Sequence, residues 1–294
     1  MTVTAPATLG NFELEHLLGK GSSAQVYQAR RRDDGLRVAL KVLTIGTTRV
    51  TCPQEREQMR TRFLSEAAIT MRLGHPDIVS VYAAGEDNGV FWLAMELVAG
   101  GSLERYSQRS TLLPPRVALG IVARVASALA HAHRQGVVHR DIKPSNMLLD
   151  LHAGVLKLSD FGAARLLDSQ LTATEVLLGT PVYMAPELLA GDTASAASDL
   201  YALGVVLFEL LTGRRPHESP SMGELLRQVA LEPAPDLRDL CPDLPAALAL
   251  VLARLLAKGA SGRPPGSAAA AAELSEVLSH WPTVPAAGTD AAQY

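Results

Sequence analysis

Short runs of strand-type residues dominate the first third of the chain. Phe12 to Leu18, Gln25 to Arg30 and Leu36 to Leu43 are such runs, punctuated by Gly19/Gly21 and Asp33-Asp34-Gly35. Strand-type runs separated by turn residues predict an antiparallel meander. A polar helix follows from about Gln54 to Leu73, where Met59, Phe63, Ala67 and Met71 recur every fourth residue and mark one buried stripe. Glu66 lies beside that stripe. Two more strands are predicted at Ile78 to Ala83 and Val90 to Met95, before Ala99-Gly100-Gly101-Ser102 breaks the pattern.

The texture then changes. An Ala/Leu/Val-rich helix is predicted from Pro114 to Gln135, running into Gly136. Ser198 to Leu211 is apolar almost all round, apart from Asp199 and Glu209, which predicts a helix in the middle of a core. Leu225 to Leu231, Ala246 to Leu256 and Ala268 to Leu278 predict three further helices. No internal repeat is visible, which excludes a solenoid. The pattern predicts a small β-rich lobe, a Gly-rich hinge near residue 100, a larger helical lobe and a loose tail from Thr283.

Composition narrows the class. The chain has 294 residues, of which 48% are hydrophobic and 19% charged, enough apolar material for a core and too much for global disorder. A net charge of -3 lacks the electrostatic footprint of a nucleic-acid binder. Cys52 and Cys241 form no CxxC pair, so a reducing compartment is the expectation. Met1 to Pro6 lacks the features of a signal peptide, and Leu244 to Ala257 is too short for a membrane span and carries Arg254. A cytoplasmic protein is expected.

Three segments carry candidate chemistry. Gly19-Lys20-Gly21-Ser22-Ser23-Ala24-Gln25-Val26 is no P-loop, and a strand rather than a helix follows it, so it is no dinucleotide fingerprint. It fits a plain hairpin turn or a hairpin whose backbone covers phosphates. In Val38-Ala39-Leu40-Lys41, Lys41 shares a face with Ala39. If that face lies under the hairpin, Lys41 reaches a cleft and needs a carboxylate partner. Glu66 is the candidate, against the alternative of a helix-surface acid. The third signal is an ordered series: His139-Arg140-Asp141-Ile142-Lys143-Pro144-Ser145-Asn146, then Asp160-Phe161-Gly162, then Ala185-Pro186-Glu187.

With that series, the sequence resembles the eukaryotic-type protein kinases from about Phe12 to Trp281, in the style of the bacterial Ser/Thr kinases. The resemblance implies an α+β bilobal fold, with a small antiparallel-sheet lobe carrying one main helix and a larger, mostly helical lobe. It implies a kinase domain over 12–281, divided into lobes at about 12–97 and 98–281, between an extension (1–11) and a tail (282–294). It implies that Asp141 handles the substrate hydroxyl and Lys143 the γ-phosphoryl of ATP. Asn146 and Asp160 would hold Mg²⁺ or Mn²⁺. Lys41, paired to Glu66, would bind the α/β-phosphates. Gly19, Lys20, Gly21 and Ser22 would cover the phosphates. Adenine would meet the hinge at Glu96 to Val98, between Leu18, Val26, Ala39 and Leu148, with Met95 at the back. Asp199 would accept hydrogen bonds from the catalytic-loop backbone, and Glu187 would pair with Arg263.

Lys143 in the octet implies Ser/Thr rather than Tyr acceptors, and the Ala185-Pro186-Glu187 segment implies protein rather than small-molecule substrates. Thr172 and Thr174 are the expected regulatory phosphosites, with Arg140 to receive a phosphate. A homodimer for phosphorylation in trans is a possible partner arrangement. The alternative reading is a pseudokinase scaffold, against which Lys41, Asp141, Asn146 and Asp160 are all present. The sequence departs from the family pattern at Ala24, at Thr70 and in a long stretch between Lys41 and Glu66.

Overall fold

The computed structural model describes residues 8–21, 24–43, 53–161 and 181–281. Ser22, the long stretch after Leu43, Thr172, Thr174 and the tail lie outside the described residues. Six strands form the first sheet: β1 (Thr8–Leu9), β2 (Phe12–Lys20), β3 (Ala24–Arg31), β4 (Arg37–Leu43), β5 (Val81–Asp87) and β6 (Val90–Glu96). Their spatial order is β1-β2-β3-β4-β6-β5, and every pairing is antiparallel. The sheet begins before Phe12, because β1 pairs Leu9 with Phe12 and buries Leu9.

Helix α1 (Pro53–Thr70) packs its stripe on this sheet through Phe63, whose ring lies 5.0 Å from that of Phe91. Phe63 and Ala67 are buried, whereas Met71 is 40% exposed. The helix ends at Thr70, so the fourth-residue spacing no longer places Met71 on its inner face. The strand predicted from Ile78 begins only at Val81. Ile78 instead bridges Leu158, in parallel, across the two lobes.

The larger lobe starts with a three-stranded sheet of β7 (Gly101–Ser102), β8 (Met147–Asp150) and β9 (Val155–Leu158). Two to four residues per strand are too few to leave a periodic signature, and the sequence reading does not contain these strands. The helices that follow are α2 (Pro115–Arg134), α3 (Pro186–Leu189), α4 (Ala196–Thr212), α5 (Met222–Leu231), α6 (Leu237–Leu240), α7 (Ala246–Leu255) and α8 (Ser267–Ser279). Helix α4 is the lobe's axle. Ser195 and Ser198 close a capping box at its start, and Gly213, at φ 72°, ends it in the left-handed conformation. Every residue from Ser198 to Thr212 is buried. Gly204 lets α7 approach closely: a Cβ there would stand 2.9 Å from that of Leu255.

Arg263 fastens this lobe. Its guanidinium makes a bidentate pair with Glu187 at 2.6 and 2.8 Å, and also donates to the carbonyls of Ala257, Ala197 and Lys258. Burial pushes the Glu187 carboxyl up, but the Arg263 hydrogen bonds and charge outweigh it, and the carboxyl lies below its ordinary range. Arg263→Met strands a carboxylate and three carbonyls at once. It is expected to cost about 3–5 kcal/mol in urea unfolding, and Glu187→Gln, which keeps an acceptor, less.

Candidate active site

The loop from Val137 to Asn146 joins α2 to β8, and the core determines its shape. Both oxygens of Asp199, on α4, accept from it: Oδ2 from the His139 N–H and Oδ1 from the Arg140 N–H, each at 2.8 Å. Asp199 is 2% exposed, so this carboxylate must be satisfied within the protein. His133 on α2 completes it, with Nε2 2.8 Å from Oδ2, while its Nδ1 meets the Ser267 hydroxyl of α8 at 2.8 Å. Arg140 adopts φ 73°, a left-handed backbone that a non-glycine residue takes only under constraint. His139 is fully buried. Its Nε2 lies 2.8 Å from the Ser159 carbonyl and its ring meets Phe161 edge-on at 4.5 Å.

That anchoring sets the next residues. Asp141 receives Lys143 Nζ at 2.8 Å and Asn146 Nδ2 at 2.9 Å on Oδ2. The same Asn146 amide donates to the Asp141 carbonyl at 2.7 Å, which commits its nitrogen and leaves its Oδ1 as the oxygen donor. Burial raises the Asp141 carboxyl, but the Lys143 charge and the two side-chain hydrogen bonds win, and it lies below its ordinary value. Asp160, at φ 66°, is the second residue held in the left-handed region here.

The sheet lobe supplies the facing groups. Val26 lies opposite Lys41 in the β3–β4 register, and Ala39 packs with Val26, Met95, Val98 and Leu148, so the Ala39 face of β4 does border a cleft. Lys41 is 7% exposed, and its Nζ contacts Asp160 Oδ1 at 2.6 Å, joining the two lobes. Glu66 lines one narrow pocket with Lys41, Asp160, Thr70 and Met95. Thr70 donates its hydroxyl to the Glu66 carbonyl at 3.1 Å. The structure therefore gathers Lys41, Glu66, Met95 and Asp160 in one place, and Asp160 Oδ1 is in contact with the Lys41 ammonium.

Gly19 and Lys20 end β2, and the Gly21 N–H donates to the Ala24 carbonyl at 2.8 Å to close the hairpin. Among the described residues, a Cβ at Gly19 would meet nothing within 4 Å. Leu18, 45% exposed, lies at the end of the same strand. Glu96 ends β6, two residues before Val98.

Sequence reasoning missed His133. The signal was nonetheless present: His133 follows Ala126, Leu129 and Ala130 on the buried face of α2, so it is a polar residue at a core position.

Comparison with known proteins shows the family of the chain. The protein kinase domain family profile matches residues 12–270. The serine/threonine-protein kinase PknJ of Mycobacterium tuberculosis is 40% identical over 263 residues, covering 87% of this chain and 43% of that protein. PrkC of Bacillus subtilis is 38% identical over 250 residues, covering 85% and 38%. The DNA damage-responsive kinase RqkA of Deinococcus radiodurans is 42% identical over 273 residues, covering 90% and 40%. The chain thus spans about two fifths of the length of these relatives.

Removing the anchor tests the geometry. Asp199→Ala is expected to speed amide hydrogen exchange at His139 and Arg140 and to lower turnover about 100-fold through misplacement of Asp141. Unchanged exchange at both amides would show that the loop holds its shape without Asp199.

Proposed function

Since the chain belongs to the protein kinase domain family, we propose that it is a serine/threonine protein kinase, transferring the γ-phosphoryl of ATP to protein hydroxyls, with one catalytic domain over residues 12–281. The observation that carries this reading is the braced Asp141, held by Lys143 and Asn146, facing a second cluster of Lys41, Glu66 and Asp160. A pseudokinase scaffold has no need of both clusters together.

The residues divide the work by charge. Asp141, ionised at neutral pH, orients the attacking Ser or Thr hydroxyl and receives its proton as the new P–O bond forms and the bond to ADP breaks. Lys143 sits within 2.8 Å of Asp141, where its charge can offset that of the transferring phosphoryl. Lys41 takes the α/β-phosphates with Glu66 as its support, and the Gly19 to Ser22 backbone covers them. The apolar slot of Val26, Ala39, Met95 and Leu148, with Leu18 at its mouth, receives adenine, whose edge meets the backbone of Glu96 to Val98.

Asn146 Oδ1 and the Asp160 carboxylate are oxygen donors that suit Mg²⁺ or Mn²⁺, and a bound ion would neutralise charge on the phosphate oxygens. Lys143 supports Ser/Thr acceptors. Two cysteines without a pairing pattern, and dependence on ATP, support a cytoplasmic location. Among the described residues, no helix is long and apolar enough to cross a membrane.

Two outcomes test the reading. With ATP and Mg²⁺, the protein is expected to phosphorylate itself on Ser or Thr, and Lys41→Ala and Asp141→Asn are each expected to lower the rate by about 100-fold or more without unfolding it. Full activity of purified Asp141→Asn would remove the assignment.

The switch is proposed to be phosphorylation in trans, within a homodimer, at Thr172 or Thr174, with Arg140 as receiver of the phosphate. Mass spectrometry is expected to map phosphate there, and the double Ala variant to lose several-fold in rate. An equally active double variant, with no phosphate between Ser169 and Thr180, would exclude this switch.

A further inference from the structure

The two lobes meet behind the adenine slot as well as across the cleft. The segment from Asp77 to Ser80, which leads into β5, is fastened to the helical lobe. The Leu158 N–H donates to the Asp77 carbonyl at 2.8 Å, and the Val79 N–H to the Leu158 carbonyl at 3.0 Å. The Asp77 carboxylate is gripped by Arg124 of α2. This segment is therefore a fixed point from which the sheet lobe is suspended.

Glu96, the last residue of β6 before the hinge, is tied to that point by two hydrogen bonds. Its N–H donates to the Ser80 carbonyl at 2.8 Å, and its Oε2 accepts the Ser80 N–H at 3.2 Å. The same Oε2 receives Lys157 Nζ at 2.8 Å. Lys157 belongs to β9, in the other lobe, directly opposite Leu148 of β8. Directly opposed residues on antiparallel strands share a face, so the lysine stem runs beside the leucine that floors the slot. The pair is largely shielded, with side-chain exposures of 15% for Lys157 and 26% for Glu96, so water competes weakly for it. One carboxylate oxygen thus joins the hinge, the fixed segment and the slot floor.

We propose that Lys157 is a positioning residue for ATP: by clamping the Glu96 carboxylate it sets the height of the hinge backbone above Leu148, and with it the width of the adenine slot. The proposal rests on the ATP-site reading above and extends it to a residue that touches no part of the proposed reaction. Adenine stays bound alike in the ground state and the transition state, so loosening the slot weakens both equally. Such a loss raises KM and leaves kcat in place.

The test uses the whole chain, with ADP affinity by calorimetry and ATP kinetics on myelin basic protein as a generic acceptor. Lys157→Met is expected to raise the ADP Kd and the ATP KM about tenfold, the low end of what a charge-assisted hydrogen bond is worth, with kcat kept within about twofold. Lys157→Arg, which keeps the cation, is expected to restore both. Glu96→Gln keeps an acceptor for Ser80 but no charge, and is expected to move in the same direction; it decides the matter if Lys157→Met does not fold. An unchanged ADP Kd in the folded variant overturns the proposal. So does a loss of kcat that follows a lowered melting temperature while Kd stays put. Wild-type protein that binds no ADP overturns the ATP-site reading itself, a separate outcome.

Discussion

A single buried carboxylate sets the geometry of the catalytic loop. Asp199 sits on a helix with no solvent-exposed face from Ser198 to Thr212, and an anion there requires donors. Two backbone N–H groups and an imidazole nitrogen supply them. Holding Arg140 in the left-handed region costs about 1–3 kcal/mol. Hydrogen bonds to a charged acceptor contribute about 1.5–3 kcal/mol each, so two of them outweigh the strain. The loop is therefore as rigid as the core that carries its anchor. Asp141 follows immediately, so its position is inherited from the packing of α4 rather than from the loop's own propensities. The relay from Ser267 through His133 to Asp199 extends the same dependence to α8.

The groups proposed to react are divided between the two lobes. Lys41 and Glu66 come from the sheet lobe; Asp141, Asn146 and Asp160 come from the helical lobe. The Lys41–Asp160 contact crosses the gap directly, and the Asp77 to Ser80 segment crosses it from behind. Interactions of this kind fix distances between groups that no single element could hold. That matters most for phosphoryl transfer, where positioning and charge carry nearly all of the work.

Much of this was legible in the sequence where local pattern and burial coincide. The helix from Ser198 to Leu211 was apolar almost all round, apart from Asp199 and Glu209, and it lies at the centre of the core. Phe63 and Ala67 kept the spacing of a buried stripe and pack on the sheet. Met71 kept the same spacing and does not, because periodicity marks a face but not where the chain leaves it. The four-residue strands β8 and β9 were invisible, since pairing with each other and with β7 forms them, not their own alternation. The site was legible through its motifs, residue type and order. Some contacts came with the motifs, those of Asp199 with the loop backbone and of Glu187 with Arg263, and others did not: Lys41 and Asp160 are 119 positions apart, Ser267 and His133 are 134 apart, and nothing local to either member announces the partner.

The titration of Asp141 bears on how the proposed transfer proceeds. Burial alone would make this carboxyl a better base by raising it, and the loop opposes that with the Lys143 ammonium and the Asn146 amide. The result is a weak base, ionised throughout the neutral range. A weak base draws little proton from a Ser or Thr hydroxyl before the phosphorus bond to the leaving group has loosened. In the proposed transfer, such a base would accept the hydroxyl's hydrogen bond and so aim the oxygen lone pair in line. A loose transition state needs that aim early and the proton's acceptor only late. The same lysine that weakens the base stands beside it, where charge on the transferring group is to be offset. The depressed carboxyl and the proposed charge stabilisation thus both trace to one placement, that of Lys143 2.8 Å from Asp141.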